Sequence, residues 1–367
     1  IKPARVVIDS LTEIRLQSQT ALRYRREVLA LRQFLKQNRC TALLLDELRE
    51  EMTAQSVVHG IIELHRHVPD FGPSRREIQI TKLRGVQFAE GFHDYRIEPG
   101  GIQVFPRLVA AEHRRDMPGS VMSSGLAELD ALLGGGVPAG STTLLLGPVG
   151  SGKSSTATHY VLNVLRQGER AAIYTFDETV ASYLARAAGL GMHLDPFLSD
   201  GRLNIQQIDA GELSPGHFAH LVRRAVEGDQ CRMLVIDSLN GYLNAMPNER
   251  MLLVQLHELT TYLNHKGVLT LLVMSQAGIG GTIDSPIDTS YLTDNVILFR
   301  LFEAVGEVRH AISVVKKRTG AHEKTIRELR LTSRGLQVGE PLSRFQGILS
   351  GLPQFVGHQA DLIERES

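Results

Sequence analysis

Gly147-Pro148-Val149-Gly150-Ser151-Gly152-Lys153-Ser154 decides how the rest of the chain is read. The stretch fits the pattern GxxxxGK[ST] at every fixed position. Glycines let a backbone curl until successive amides point at phosphate oxygens. A helix that follows adds its positive N-terminal end. The neighbouring sequence supplies that context. Thr142 to Leu146 is a short apolar run that predicts a strand, and Lys153 to Leu165 has helical spacing. Lys153 suits the β- and γ-phosphates of a nucleotide, and the Ser154 hydroxyl suits a magnesium ion. Gly147, Val149, Gly150, Ser151, Gly152, Lys153, Ser154 and Ser155 are the candidate nucleotide-binding residues of this segment. A glycine-rich turn that binds nothing is the bland alternative. Strand, helix and a matching downstream motif weigh against it.

Further out, Ala171 to Phe176, Met233 to Ile236, Val268 to Met274 and Val296 to Leu301 are apolar runs. Parallel strands covered on both faces read this way. Phe218 to Val226 and Met251 to Leu263 read as helices. The alternation predicts an α/β fold, a twisted, mainly parallel sheet flanked by helices. Ala311 to Val315 and Ile326 to Leu331 alternate around polar turns, which predicts antiparallel strands added at the sheet edge.

Asp237 ends the strand Met233-Leu234-Val235-Ile236. Downstream of a phosphate loop, a carboxylate there can hold the shell of a magnesium ion. Asp177 and Glu178 follow the strand that ends at Phe176. A carboxylate at that sheet edge can polarise water for attack on a γ-phosphate. Two acids opening a helix would be favoured by helix-end electrostatics alone, so both readings stay open. Lys316 and Arg318 alternate with Lys317 along a strand and share one face. They can clamp phosphate or form a solvated edge.

The chain also repeats itself. Val6-Val7-Ile8-Asp9-Ser10-Leu11 recurs as Leu234-Val235-Ile236-Asp237-Ser238-Leu239, and Cys40 to Leu45 matches Val268 to Val273 at the same offset. Lys82-Leu83-Arg84 matches Lys316-Lys317-Arg318, and Gly101 to Val104 matches Gly335 to Val338, at a slightly larger one. Matches in one order predict a tandem duplicated domain. Residues 1–112 read as the C-terminal part of a first domain, without a phosphate loop. Residues 113–353 read as a complete second domain, and 354–367 as a tail. The second copy extends upstream of Asp237 through a region the first lacks, so the chain is expected to begin inside a domain. The match adds Lys82, Leu83 and Arg84 to Lys316, Lys317 and Arg318 as phosphate candidates.

Composition narrows the field. The 367 residues are 43% hydrophobic and 22% charged, ordinary for a globular protein and too apolar for disorder. Lys and Arg number 40, as do Asp and Glu, which argues against a protein that coats nucleic acid by bulk charge. Cys40 and Cys231 lack a nearby Cys partner, so neither a CxxC zinc site nor a disulfide framework is expected, and a reducing, cytoplasmic compartment fits. No apolar run reaches the roughly 18 residues a bilayer requires.

Taken together, these residues resemble the KaiC family of RecA-like ATPases. The carrying features are Ser124 to Gly140 ahead of the phosphate loop, Phe176-Asp177-Glu178, Val235-Ile236-Asp237-Ser238-Leu239, the two Lys-x-Arg strands and the closing Phe345 to Gly351. The resemblance covers nearly the whole chain. It implies a homo-oligomer, a hexamer of two stacked rings with ATP between subunits, and regulatory protein partners. It implies that Gly150, Gly152, Lys153 and Ser154 hold ATP and Mg²⁺. Asp177 and Glu178 match a glutamate pair whose first member is the usual base and magnesium partner. With the shorter Asp177 in that place, the role could pass to Glu178. Lys316, Lys317 and Arg318 match a segment that touches the neighbouring subunit's nucleotide, and Lys82, Leu83 and Arg84 would do so in the other ring. Leu190 stands where an aromatic often lies against adenine.

Implied activities are a slow magnesium-dependent ATPase and a serine/threonine autokinase, in a signalling or circadian-type role. In the stretch where clock proteins of the family carry adjacent acceptors, this chain has Thr289-Ser290-Tyr291 ahead of Thr293-Asp294. Ser290 is the candidate phosphosite and Thr289 its neighbour, while Tyr291 puts its oxygen a ring-length further out. The competing readings are a RecA- or DnaB-like DNA-dependent ATPase and a nucleotide-gated scaffold with little turnover. Zero net charge and the lack of a basic loop between Leu239 and Glu249 count against the motor, so nucleic acid is not an expected partner.

Overall fold

The computed structural model describes residues 3–47, 56–68, 73–113, 120–209, 211–244, 249–276, 292–304, 306–350 and 353–356. The chain divides into two units, one of residues 1–67 and 76–104, the other of 68–75 and 105–367.

In the first unit, strand β1 (Arg5–Asp9) leads into helices α1 (Leu11–Ser18) and α2 (Ala21–Gln37), then β2 (Thr41–Leu45). β1 and β2 pair in parallel, Val7 opposite Leu43. Tyr24, Val28 and Val57 form a small core, with Ile14 against it. Strands β3 (Gly60–His67), β4 (Arg75–Leu83), β5 (Phe92–Glu98) and β6 (Gly101–Phe105) form a second sheet in chain order.

The second unit opens with a 3₁₀ turn, Ala110–His113, whose Ala110 amide donates to Glu258 Oε2 at 2.9 Å. A short ribbon, β7 (Val121–Met122) and β8 (Val137–Pro138), brackets helix α3 (Ala127–Leu132). Then follow β9 (Thr142–Gly147), α4 (Lys153–Arg166), β10 (Ala171–Thr175), α5 (Val180–Gly189), α6 (Asp195–Ser199), β11 (Leu203–Gln207) and α7 (Pro215–Glu227). Next come β12 (Met233–Asp237), α8 (Leu239–Asn244), α9 (Glu249–His265) and β13 (Leu269–Ser275). The chain closes with β14 (Asn295–Ala304), β15 (Glu307–Lys317), β16 (Arg327–Thr332), β17 (Gly335–Pro341), β18 (Phe345–Gln346) and β19 (Gln354–Phe355).

The large sheet runs β11-β10-β12-β13-β9-β14-β15-β16-β17. Pairs from β11 to β14 are parallel, and β14 to β17 are joined antiparallel. Period-two side chains split its core into two layers. Ile173, Val235, Leu271 and Ile297 pack with Ala157, Tyr160, Val161 and Tyr183 from α4 and α5. Tyr174, Ile236, Leu272 and Leu298 pack with Phe218, Val222, Tyr242 and Leu256 from α7, α8 and α9. With both faces covered, β9, β10 and β13 are buried along almost their whole length and show no polar–apolar alternation.

The structure adds α5 and the edge strand β11, which the sequence reading did not assign. α5 begins just past Asp177 and Glu178, with the Thr179 hydroxyl capping the Ser182 amide. β11 is short and half-buried, so its alternation is weak. Among the described residues no helix is long and apolar enough to cross a membrane.

Candidate nucleotide-binding site

The ends of four strands build the site. β9 delivers the phosphate loop, β12 delivers Asp237, β10 delivers Asp177 and Glu178, and β13 delivers Gln276. Register fixes their neighbourhood. Thr175 lies opposite Asp237, and Ser275 opposite Gly147. The Gln276 amide donates to Gly147 O at 3.0 Å and ties the start of the loop to the end of β13.

The loop closes on itself. Ser151 Oγ donates to Pro148 O at 2.8 Å, and Lys153 Nζ reaches the same carbonyl at 2.6 Å. Gly152 caps α4 at φ 95°, a left-handed conformation that side chains resist. This turn swings Lys153 and Ser154 into the first turn of α4 and aims the helix end at the loop's concave side. Lys153 is 5% exposed. Burial pulls its ammonium down to about 8, against the opposing pull of Asp237. Val149 stands outward at the loop tip, while Ser151 and Ser155 are buried.

Asp237 is pushed above the usual carboxylate range by burial, although the Ser154 hydroxyl, Arg186 and Lys153 draw it down. Its Oδ2 is buried with no hydrogen-bond partner among the described residues. A buried carboxylate oxygen without a donor is costly unless a cation meets it. With a serine hydroxyl beside it, it suits a hard cation that takes oxygen ligands and keeps phosphate and water in its remaining positions.

Asp177 and Glu178 part company at the end of β10. Asp177 is exposed and accepts from Ser238 Oγ through Oδ2. Glu178 is held by Arg186, with Nη2 to Oε2 at 2.9 Å and Nε to Oε1 at 3.3 Å. Ser182 Oγ adds a bond to Oε1 at 3.0 Å. Gly241 backs this corner: a Cβ there would lie 2.5 Å from Phe176 Cβ and 2.7 Å from Asp177 Oδ1. Gly241→Ala is therefore expected to displace Asp177 and cost about 1–3 kcal/mol of stability. A thermal melt checks it, and an unchanged melting temperature would show that this corner yields without cost.

The remaining candidates lie elsewhere. Lys316 Nζ donates to Thr293 O at 2.6 Å, and Arg318 pairs with Asp294 at 3.0 Å. Lys317 turns the other way, to Leu133 O and Gly136 O. None of these bonds reaches this chain's own phosphate loop. His310, which the sequence reading passed over, does so through Nε2, 3.1 Å from Gly150 O. In the first unit Leu83 is exposed and Arg84 donates to Ser56 O at 3.0 Å, with Lys82 beside them at the end of β4. Leu190 caps the end of α5 and packs against the first core layer. Ser290, Thr289 and Tyr291 lie outside the described residues. Arg186, Ser182 and Ser238 were also missed by sequence reasoning. Glu178, Ser182 and Arg186 stand four residues apart, a helical spacing that could have signalled the first two.

A glycine loop between a buried strand and a helix, with a lysine, a serine and a strand-end aspartate gathered on it, defines a P-loop nucleotide-binding protein on a RecA-like α/β fold. The chain belongs to the KaiC ATPase family: the model described as "ATPase: KaiC" matches residues 1–109 and 122–343. It is 29% identical over 362 residues to the circadian clock oscillator protein KaiC of Parathermosynechococcus lividus, covering 96% of this chain and 66% of that protein. It is also 29% identical over 359 residues to the circadian clock oscillator protein KaiC of Synechococcus elongatus, covering 95% and 68%. The chain thus spans about two thirds of the length of these relatives. It is an ATP-binding KaiC-like protein.

Proposed function

We propose that this chain is a slow, magnesium-dependent ATPase of the KaiC type, working in an oligomer with a signalling or timing role. The observation that carries the reading is the convergence of Lys153, Ser154 and the unpartnered Oδ2 of Asp237 on one loop. The loop and the end of α4 would hold the phosphates, with Lys153 moving from the Pro148 carbonyl to a phosphate oxygen. Ser154 and Asp237 would hold Mg²⁺, which when bound neutralises charge on the phosphates. Asp177 lies at the rim, bonded among the described residues through Oδ2 alone, and would orient the attacking water. Phosphate release by the whole chain, measured with Mg²⁺ and with a chelator, tests the reading. Turnover only with Mg²⁺ supports it, and turnover unaffected by chelation overturns it.

Lys316 and Arg318 would complete the site of a neighbouring subunit, since their contacts hold them at the start of β14 rather than on this loop. Residues 1–112 would be a second copy of the elements from β12 onward. That β1–β2 and β12–β13 are both parallel pairs, and that the family match covers both segments, supports this reading. Autophosphorylation is expected at Ser290, with Thr289 as the neighbouring acceptor. Incubation with ATP and Mg²⁺, then peptide mass spectrometry, checks this. Protein that binds ATP yet carries phosphate on neither residue would be an ATPase without the kinase activity.

A further inference from the structure

Arg186 joins two parts of the site that the sequence motifs keep apart. Its guanidinium grips both oxygens of Glu178 and lies over the Tyr183 ring, 4.5 Å from the centroid. The Tyr183 hydroxyl is 2.7 Å from Thr158 Oγ1, and Thr158 donates to Ser154 O at 2.7 Å. One chain of contacts therefore runs from Glu178 through Arg186, Tyr183 and Thr158 to the main chain at Ser154. Arg186 also feels the Asp237 carboxylate, and its Nη1 is buried with no hydrogen-bond partner among the described residues. The guanidinium is thus half-buried beside the carboxylates of the site, its side chain 28% exposed.

We propose that Arg186 is a positioning residue for ATP hydrolysis. It takes Glu178 as its counter-ion, which leaves Asp177 as the carboxylate available to water. It also braces the Asp177–Glu178 turn against the helix that carries Lys153 and Ser154. The inference rests on the ATPase reading of the phosphate loop.

Both oxygens of Glu178 accept charge-assisted bonds from a planar fork, and Oε1 accepts from Ser182 as well. Service as a base would break those bonds, which are about twice as strong as neutral ones. Asp177 accepts from Ser238 alone among the described residues and is exposed. The brace matters because a carboxylate on a turn is effective only when its geometry is held to within about 0.5 Å.

The experiment compares the whole chain with Asp177→Asn, Glu178→Gln, Arg186→Gln, Arg186→Lys and the double variant Glu178→Gln/Arg186→Gln. ATP affinity, kcat and KM are measured for each. Asp177→Asn is expected to lower kcat by about 100-fold or more with ATP still bound. Arg186→Gln is expected to lower kcat by roughly tenfold with little change in KM, and the double variant to fall no further, because residues acting as one unit are not additive. Arg186→Lys should recover part of the loss, and it serves in place of Arg186→Gln if the latter does not fold. The proposal is overturned if Glu178→Gln is as inactive as Asp177→Asn, or if the Glu178 and Arg186 losses multiply. Wild-type chain that binds no ATP would instead overturn the ATPase reading, before any kinetic comparison.

Discussion

Lys153→Ala is expected to lower ATP affinity by at least about 100-fold, which is about 2.8 kcal/mol at 1.4 kcal/mol per tenfold. The size follows from where the ammonium sits. It is almost wholly buried, bonded to the Pro148 carbonyl inside the loop, and depressed by burial. A cation in so dry a place gains more from a phosphate than an exposed lysine does. Alanine removes that charge and leaves the loop backbone, since Gly152 and the Ser151–Pro148 bond hold the turn. Equilibrium binding of a fluorescent ATP analogue measures the change. Affinity within threefold of the wild type would mean that Lys153 faces something other than phosphate.

Asp237→Asn is expected to separate turnover from stability. ATP hydrolysis should fall by about 100-fold or more, in the range that loss of a fixed charge-stabilising group produces. The nucleotide-free protein should melt at a higher temperature than the wild type. Asp237 carries a buried oxygen with no donor among the described residues, and burial already disfavours its charged form. A neutral amide of the same shape removes that cost, as substitutions at functional sites often do. Hydrolysis and melting are read on the same preparation. Lower stability with full turnover would place Asp237 among structural carboxylates.

How much of this was legible in the sequence depends on how local each feature is. The loop from Gly147 to Ser154 is contiguous, so its pattern carried its own context, and β9 and α4 were found where the motif required them. The buried strands showed as apolar runs because both faces are covered. The roles of Asp177 and Glu178 could not be told apart from spacing. Their difference arises when α5 brings Arg186 back over Glu178 and when the end of β12 sets Ser238 beside Asp177. Gly241 gave no signal at all, since its need to be small appears only where α8 meets the end of β10. The contacts of Arg318 with Asp294 and of Lys316 with Thr293 likewise join segments that the linear pattern cannot pair.

Calorimetric titration of the whole chain with ATP, in buffer containing Mg²⁺, tests the ATP site most directly. A single phosphate loop in the sequence predicts one ATP bound per chain, with binding abolished by Lys153→Ala and weakened when Mg²⁺ is chelated. No binding by the wild-type chain, or binding that survives Lys153→Ala unchanged, would contradict it.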